Sequence, residues 1–333
     1  MHQFKIQLEN DTLVIRGSPE ESVGCVLRGH VVLNTKETIK VKSIHLSLLG
    51  KMKIQWSERN YYQQQKKECV IFEHRWTFLS PQKKYYTLLP DTYLYPFELA
   101  LPGHLAESID FNSFGSLSYK LKATIERPAF LPNLVHRKQL WVIRQRQQWT
   151  DLLMMPIQLS NTWADRLSYT ITIPKRTYSR GQDIPIQFSL VPHRPIQIRY
   201  LSCFLKEYGL CGTHTQSRII RFFCDDDFSQ HWHKSKSITV PSAPSAIQVD
   251  ADNVYFKIYH KLKFTLSVMT EHRQMAEIRS SIPIEVIDSR VEEEVDLPAY
   301  ENTWQSIGLD FGCIRLPSYH TINLNDGLPA YEV

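Results

Sequence analysis

The sequence has few glycines and lacks the apolar runs that mark membrane-spanning and secreted proteins. Only 12 of its 333 residues are glycine, which argues against folds built on glycine-rich phosphate-binding loops. No apolar run approaches the roughly 18 residues that a membrane-spanning helix needs. Residues 1–5 show no apolar signal-peptide segment. We therefore expect a cytoplasmic protein.

The cysteines lack the spacing of a metal site or a redox motif. No Cys-x-x-Cys pair occurs, so we expect free thiols. The spacing of Cys211, Cys224, His231 and His233 fits no common tetrahedral zinc scheme, and residues 225–227 lack the alternating ligands of a calcium loop. No metal and no cofactor are expected. The six cysteines are Cys25, Cys69, Cys203, Cys211, Cys224 and Cys313.

Catalytic motifs are also missing. The chain contains no Gly-x-Ser-x-Gly, no His-Glu-x-x-His and no phosphate-binding loop of the Gly-x-x-x-x-Gly-Lys type. We expect a protein that is not an enzyme and has no catalytic residues. A β-sandwich enzyme would require a deep pocket with converging titratable groups.

Alternation of apolar and polar residues is the dominant pattern that is present. In residues 117–126 the apolar side chains fall on one parity and the polar ones on the other, as in a strand with one buried face. Residues 256–268 alternate over a longer stretch, with His260 as the exception on the apolar parity. Helical patterning is scarce, with one or two turns expected at 102–109 and 151–160. The pattern predicts an all-β fold of two tandem immunoglobulin-like sandwiches.

Composition divides the chain into three parts. The alternation stops between Val142 and Trp163, which places a first domain at 1–148 and a second at 160–288. Residues 288–333 hold nine acids, two arginines and no lysine, a charge of −7 that leaves +12 on residues 1–287. We expect 289–333 to be a flexible acidic tail. A basic body suits contact with an anionic membrane face or an acidic protein segment.

The tail carries three copies of Leu-Pro-x-Tyr, whereas composition alone predicts roughly 0.1 copies in the whole chain. Proline presets an extended conformation, so less entropy is lost when the segment docks into an aromatic-lined groove. A WW domain is the expected receiver, although its preferred ligand is Pro-Pro-x-Tyr, and Leu in place of the first Pro predicts weaker single sites. The motif residues are Leu297, Pro298, Tyr300, Leu316, Pro317, Tyr319, Leu328, Pro329 and Tyr331.

The repetition of the motif can offset the weak binding expected of each single copy. The motif tyrosines are separated by 19 and 12 residues. A flexible segment of that length reaches on the order of 20–25 Å. Tandem WW modules that engage two motifs at once would gain avidity through a millimolar-scale effective concentration.

The chain resembles the α-arrestins (arrestin-related trafficking adaptors) over nearly its whole length. In the first half, the segments that carry the resemblance are residues 41–50 with Trp56, 88–102, 114–123 and 126–128. In the second half they are residues 173–176, 181–186 and 278–284. The resemblance implies arrestin N and C domains of immunoglobulin-like type.

The resemblance also implies an adaptor role. The arrestin body would contact the cytosolic parts of a membrane transporter or receptor, and the tail would recruit a WW-domain HECT-type ubiquitin ligase. Cargo would then be ubiquitinated and internalised, with the adaptor recruited peripherally to plasma membrane and endosomes. The alternative is an arrestin-fold sorting or signalling scaffold that acts without ligase recruitment. No nucleic-acid partner is expected.

Four lysines near the tyrosine- and glutamine-rich stretch 61–65 form a candidate basic patch. They are expected in or beside hairpin loops, either as an ordinary solvated face or as a contact for an anionic leaflet or an acidic cargo tail. The four are Lys66, Lys67, Lys83 and Lys84.

Overall fold

The computed structural model describes residues 3–57, 64–81, 84–111, 114–129, 131–145, 155–227 and 232–288. All of these residues belong to one compact unit. Strands are the only regular elements among them, and no helix in this described part is long and apolar enough to cross a membrane. The prediction of an all-β fold is confirmed.

The first eleven strands form the N-terminal sandwich. One sheet has the order β1-β3-β8, and the facing sheet has the order β2-β11-β10-β5-β6 with β9 paired to β10. The short strands β4 and β7 pair separately. The bounds are β1 Gln3–Leu8, β2 Thr12–Arg16, β3 Cys25–Asn34, β4 Ile39–Val41, β5 Ser43–Ser57, β6 Gln64–Leu79, β7 Tyr86–Leu88, β8 Thr92–Leu101, β9 Ile109–Phe111, β10 Gly115–Glu126 and β11 Leu134–Gln145.

The remaining ten strands form the C-terminal sandwich. Its sheets have the orders β12-β13-β15-β18 and β14-β21-β20-β16-β17, with β19 paired to β20. The bounds are β12 Ile157–Trp163, β13 Leu167–Ile173, β14 Thr177–Ser179, β15 Asp183–Pro192, β16 Ile196–Cys211, β17 His214–Asp225, β18 His233–Thr239, β19 Ala251–Asp252, β20 Lys257–Thr270 and β21 Met275–Ile287.

The alternation of apolar and polar residues along the strands explains how the hydrophobic core of each sandwich forms. Strand β10 buries its apolar parity between the sheets, including Leu117, Tyr119 and Leu121, while Lys120 and Lys122 face outward. Strand β20 does the same with Leu262, Phe264 and Leu266 in the second core. Each sandwich therefore has its own apolar interior.

The two predicted helical stretches are wrong. Residues 102–108 form a turn and irregular backbone, and strand β9 begins at Ile109. The backbone of this segment is hydrogen-bonded to strand β11 rather than within a helix. The Arg144 guanidinium donates to the carbonyls of Gly103 and Leu105. The backbone N–H of Ser108 donates to the carbonyl of Val142. Residues 157–160 belong to β12, which pairs with β13, and 151–154 lie outside the described residues.

Candidate functional site

The Leu-Pro-x-Tyr motifs lie outside the described residues, as does the predicted flexible tail from 289 onward. The assignment of Leu297, Pro298, Tyr300 and their equivalents in the other two copies to WW binding stays a prediction. The structure describes the two-sandwich body to which these motifs are attached.

The candidate basic patch does not form one continuous face. Lys66 and Lys67 are consecutive residues of β6 and therefore point to opposite sides of the sheet. Lys66 lies 3.5 Å from Glu68, and the same carboxylate accepts from Lys53 at 2.8 Å. Lys84 is exposed after β6, whereas Lys83 lies outside the described residues.

The two sandwiches contact each other where glycines of one lie against aromatic rings of the other, and we call this contact the seam. Glycine allows this at two points: a Cβ on Gly115 would lie 2.5 Å from the Phe256 ring, and one on Gly209 would lie 2.9 Å from the Phe111 ring. The Trp56 and His214 rings also stack at 4.4 Å. The core of the N-terminal sandwich therefore continues into side chains of the C-terminal one.

A buried charged network lies behind this seam. His260 and Glu207 are opposite residues of β20 and β16, and both are completely buried. The imidazole contacts Asp250 at 2.6 Å through Nδ1 and Glu207 at 3.3 Å through Nε2. Arg218 donates to the other oxygen of Glu207. Every charge in the network therefore has an opposite charge beside it, as burial requires.

The network also reaches across the seam. The backbone N–H of Gln248 donates to Glu207 at 2.7 Å, and the Gln248 side-chain oxygen accepts from the backbone N–H of Asp110 at 3.3 Å. The Arg218 guanidinium lies 5.5 Å from the centre of the Phe111 ring. Gln248 and Arg218 thus connect Glu207 to strand β9 of the N-terminal sandwich.

Electrostatics fixes the charge state of the network. Burial lowers the pKa of His260, but hydrogen bonds to Asp250 and Glu207 outweigh it and raise the pKa to about 9. Burial raises the pKa of Glu207, yet His260 and Arg218 bring it below its ordinary value. The imidazolium and the carboxylate therefore stay ionised at neutral pH.

Sequence reasoning missed this network, although one signal was present. His260 breaks the apolar parity of residues 256–268, and Glu207 breaks the buried parity of β16 in the same way. Two polar residues on buried parities indicate a buried pair. Which strands are neighbours, and in which register, is decided only by the fold.

One Ser–His contact bears on the enzyme alternative. The Ser168 hydroxyl and His193 Nε2 are 2.7 Å apart, and Ser168 also contacts Thr162 at 2.8 Å. This contact is exposed on the surface of the sheet, and no described carboxylate hydrogen-bonds the other ring nitrogen. It therefore lacks the orienting acid that an activated nucleophile needs.

Comparison with known families identifies the architecture. Residues 18–148 match the family described as Arrestin (or S-antigen), N-terminal domain, and residues 163–291 match its C-terminal domain. Two tandem β-sandwiches with this pair of domains define an arrestin fold. The chain belongs to the α-arrestin-like family.

Several fungal proteins are similar to this chain. Arrestin domain-containing protein C31A2.12 of Schizosaccharomyces pombe is 33% identical over 300 residues, which cover 84% of this chain and 50% of the relative. The probable HECT-type ubiquitin ligase-interacting protein creD of Aspergillus oryzae is 27% identical over 314 residues, covering 86% and 52%. The HECT-type ubiquitin ligase-interacting protein creD of Emericella nidulans is 26% identical over the same length. The chain spans about half the length of the curated relatives it matches.

Proposed function

We propose that this chain is a non-enzymatic adaptor that links membrane transporters or receptors to a WW-domain HECT-type ubiquitin ligase, so that the bound cargo is ubiquitinated and internalised. The observation that carries the proposal is the attachment of three Leu-Pro-x-Tyr motifs to a two-sandwich arrestin body. Relatives whose names state an interaction with a HECT-type ubiquitin ligase support it.

The division of labour follows from the charge distribution. The two-sandwich body carries the positive charge and offers a large β-surface, whereas residues 288–333 are acidic and lysine-free. In this proposal the body contacts cargo at the cytosolic face of the plasma membrane or endosome, and the tail supplies the ligase-binding motifs.

A binding experiment tests ligase recruitment. Full-length protein is titrated with a tandem WW module from a HECT-type ligase, and the affinity is compared with that of the Tyr300→Ala/Tyr319→Ala/Tyr331→Ala variant. Each single substitution should weaken binding several-fold, and the triple variant should abolish it, because the motifs act through avidity. Trp304→Ala is the matched control, since it removes a tail aromatic residue outside the motifs.

Unchanged affinity in the triple variant would overturn the proposal. A triple variant that loses WW binding yet still redirects cargo in cells would instead support the alternative of an arrestin-fold sorting or signalling scaffold that acts without ligase recruitment. The observation that favours this second function is Leu in place of the first Pro in every copy, which weakens each site.

A further inference from the structure

Two cysteines lie on facing sides of the seam. Cys69 belongs to β6, where it lies opposite Met52 of β5, and Cys211 is the last residue of β16. Both thiols are free in this structure. Strand β6 belongs to the N-terminal sandwich and β16 to the C-terminal one, so the pair spans the contact between them.

Strand register connects the Gly209 contact of the seam to strand β6. Phe111, whose ring lies against Gly209, is opposite Gly115. Gly115 is opposite Ile54, and Ile54 is opposite Lys67 of β6. One row of residues therefore crosses the N-terminal sheet from the Gly209 contact to β6.

The buried side of β16 brings Cys211 over the same sheet. Gly209 and Cys211 are two positions apart on that side, about 7 Å along the strand. Cys211 lies opposite His214 of β17, and the His214 ring stacks on that of Trp56 of β5 at 4.4 Å. The end of β16 therefore lies over β5 and β6, on the face to which Cys69 points.

Both thiols belong to the core that continues across the seam. Cys211 is 9% exposed within this core, and the partly buried Cys69 packs against it. Burial raises the pKa of the Cys211 thiol, the neighbouring Cys69 raises it further, and the ammonium group of Lys67 lowers it. The two sulfur atoms are thus within electrostatic reach of each other, and a positive charge that favours thiolate lies beside them.

The other described cysteines have different surroundings. Cys25 lies in β3 of the facing N-terminal sheet, Cys203 is completely buried in the C-terminal core, and Cys224 is exposed on the edge strand β17. Of the cysteines that the structure describes, Cys69 and Cys211 are the two that the seam brings together.

We propose that a hydroperoxide oxidises Cys69 and Cys211 to a disulfide that links the two sandwiches across the seam. The more accessible Cys69 thiol loses a proton, and its sulfur takes one peroxide oxygen as the O–O bond breaks, which gives sulfenic acid and water. The Cys211 thiolate then attacks the sulfenic sulfur, the S–S bond forms, and the S–O bond breaks to release a second water. The two thiols together lose two electrons and two protons, and the peroxide is reduced.

The disulfide changes the seam from a noncovalent contact to a covalent one. In the reduced protein the sandwiches are held there by contacts such as the Trp56–His214 stack and the approach of Gly115 to the Phe256 ring. A cross-link between residues 69 and 211 constrains the unfolded chain and keeps the seam closed. A thiol reductant reverses the bond by exchange through a mixed disulfide.

Mass spectrometry of the full-length protein tests the bond directly. Reduced protein is treated with hydrogen peroxide, remaining thiols are blocked with N-ethylmaleimide, and the sample is digested with trypsin without reduction. Cleavage after lysine and arginine leaves Cys69 in peptide 68–75 and Cys211 in peptide 207–218, each as the only cysteine of its peptide. We expect a species with the mass of both peptides less two hydrogen atoms, which dithiothreitol converts back to the separate peptides.

Single substitutions identify the partners. Cys69→Ser and Cys211→Ser should each abolish the linked species, because either change removes one sulfur. Cys25→Ser is the matched control, since it removes another partly buried cysteine of the N-terminal sandwich, and it should leave the yield unchanged. Oxidised wild type and Cys25→Ser should melt at a higher temperature than their reduced forms, whereas Cys69→Ser should show no such rise.

Three outcomes would overturn the proposal. One is absence of the linked species at peroxide concentrations that drive Cys69 to sulfinic or sulfonic acid. Another is attachment of Cys69 to a different cysteine. The third is a yield that rises with protein concentration, which would place the bond between molecules. The test does not involve the tail motifs, so its failure leaves the ligase-adaptor proposal standing, and failure of the WW-binding test leaves the disulfide proposal standing.

Discussion

At the scale of single residues, His260 shows how burial and charge combine. The imidazole has no exposure to water, and two carboxylates hold its pKa at about 9, above its unfolded value of 6.5. A group whose pKa is raised by folding stabilises the protein below its unfolded pKa. That stabilisation is lost as pH rises through the folded pKa.

We therefore expect the free energy of unfolding to fall between about pH 6.5 and pH 9, with His260 contributing about 3 kcal/mol across this window. His260→Gln should remove this slope, which chemical denaturation at several pH values measures. His272→Gln is the control, since His272 is exposed in the turn between β20 and β21. An unchanged slope in His260→Gln would contradict the assigned charge state.

Arg144 is a second buried charged residue, and its guanidinium needs hydrogen-bond and ion-pair partners. Its guanidinium donates to the carbonyls of Gly17, Gly103 and Leu105 at 2.7–3.0 Å and lies 3.7 Å from the buried carboxylate of Glu107. The side chain thus ties β11 to two irregular segments. Removal of one partner of a buried ion pair leaves the other uncompensated.

Arg144→Met should accordingly destabilise the protein by about 3–5 kcal/mol. Adding Glu107→Gln to that variant should restore part of the loss, because the isolated charge disappears. Urea denaturation of the two single variants and the double variant measures the coupling. Strict additivity would show that Arg144 and Glu107 do not interact.

At the scale of elements, the seam between the sandwiches depends on close approach of β10 to the segment before β20. The amide of Asp110 and the ring of Phe111, both in β9, also contact the C-terminal sandwich, so β9 and β10 present one continuous edge. This contact joins the two cores without a linker helix in the described residues.

Gly115→Ala tests this close approach. The new methyl group would lie 2.5 Å from the Phe256 ring and 3.1 Å from the carbonyl oxygen of Lys53, so we expect a loss of about 1–3 kcal/mol in thermal or urea unfolding. Ser118→Ala on the same strand is the control. Phe256→Leu should partly rescue Gly115→Ala, because the smaller side chain makes room. A lack of rescue would place the strain elsewhere.

Element prediction from sequence succeeded where apolar and polar residues alternate with period two, and it failed where a weak helical pattern was interpreted as helix. Residues 117–126 and 256–268 alternate over ten or more positions and form β10 and β20. Residues 102–109 carry a weak helical pattern, but Arg144, 35 or more positions away, binds their carbonyls. A pattern among neighbouring residues cannot reveal a hydrogen-bond partner that lies so far away in the sequence.

At the scale of the whole molecule, charge separates the chain into a basic body and an acidic tail that has no lysine. If a recruited ligase also modifies its adaptor, we expect it to attach ubiquitin to a lysine of the body, within residues 1–287. Mass spectrometry of the ubiquitinated protein measures this. Ubiquitin attached to a serine or threonine of the tail would contradict the expectation.

The sequence alone determined the all-β class, the arrestin resemblance and the three tail motifs, because period-two alternation and a short linear motif are local properties of the chain. Only the tertiary structure decided that His260 meets Glu207 and Asp250 and that Lys206 meets Lys261. These relations depend on strand order and register, which are set by packing between residues far apart in sequence.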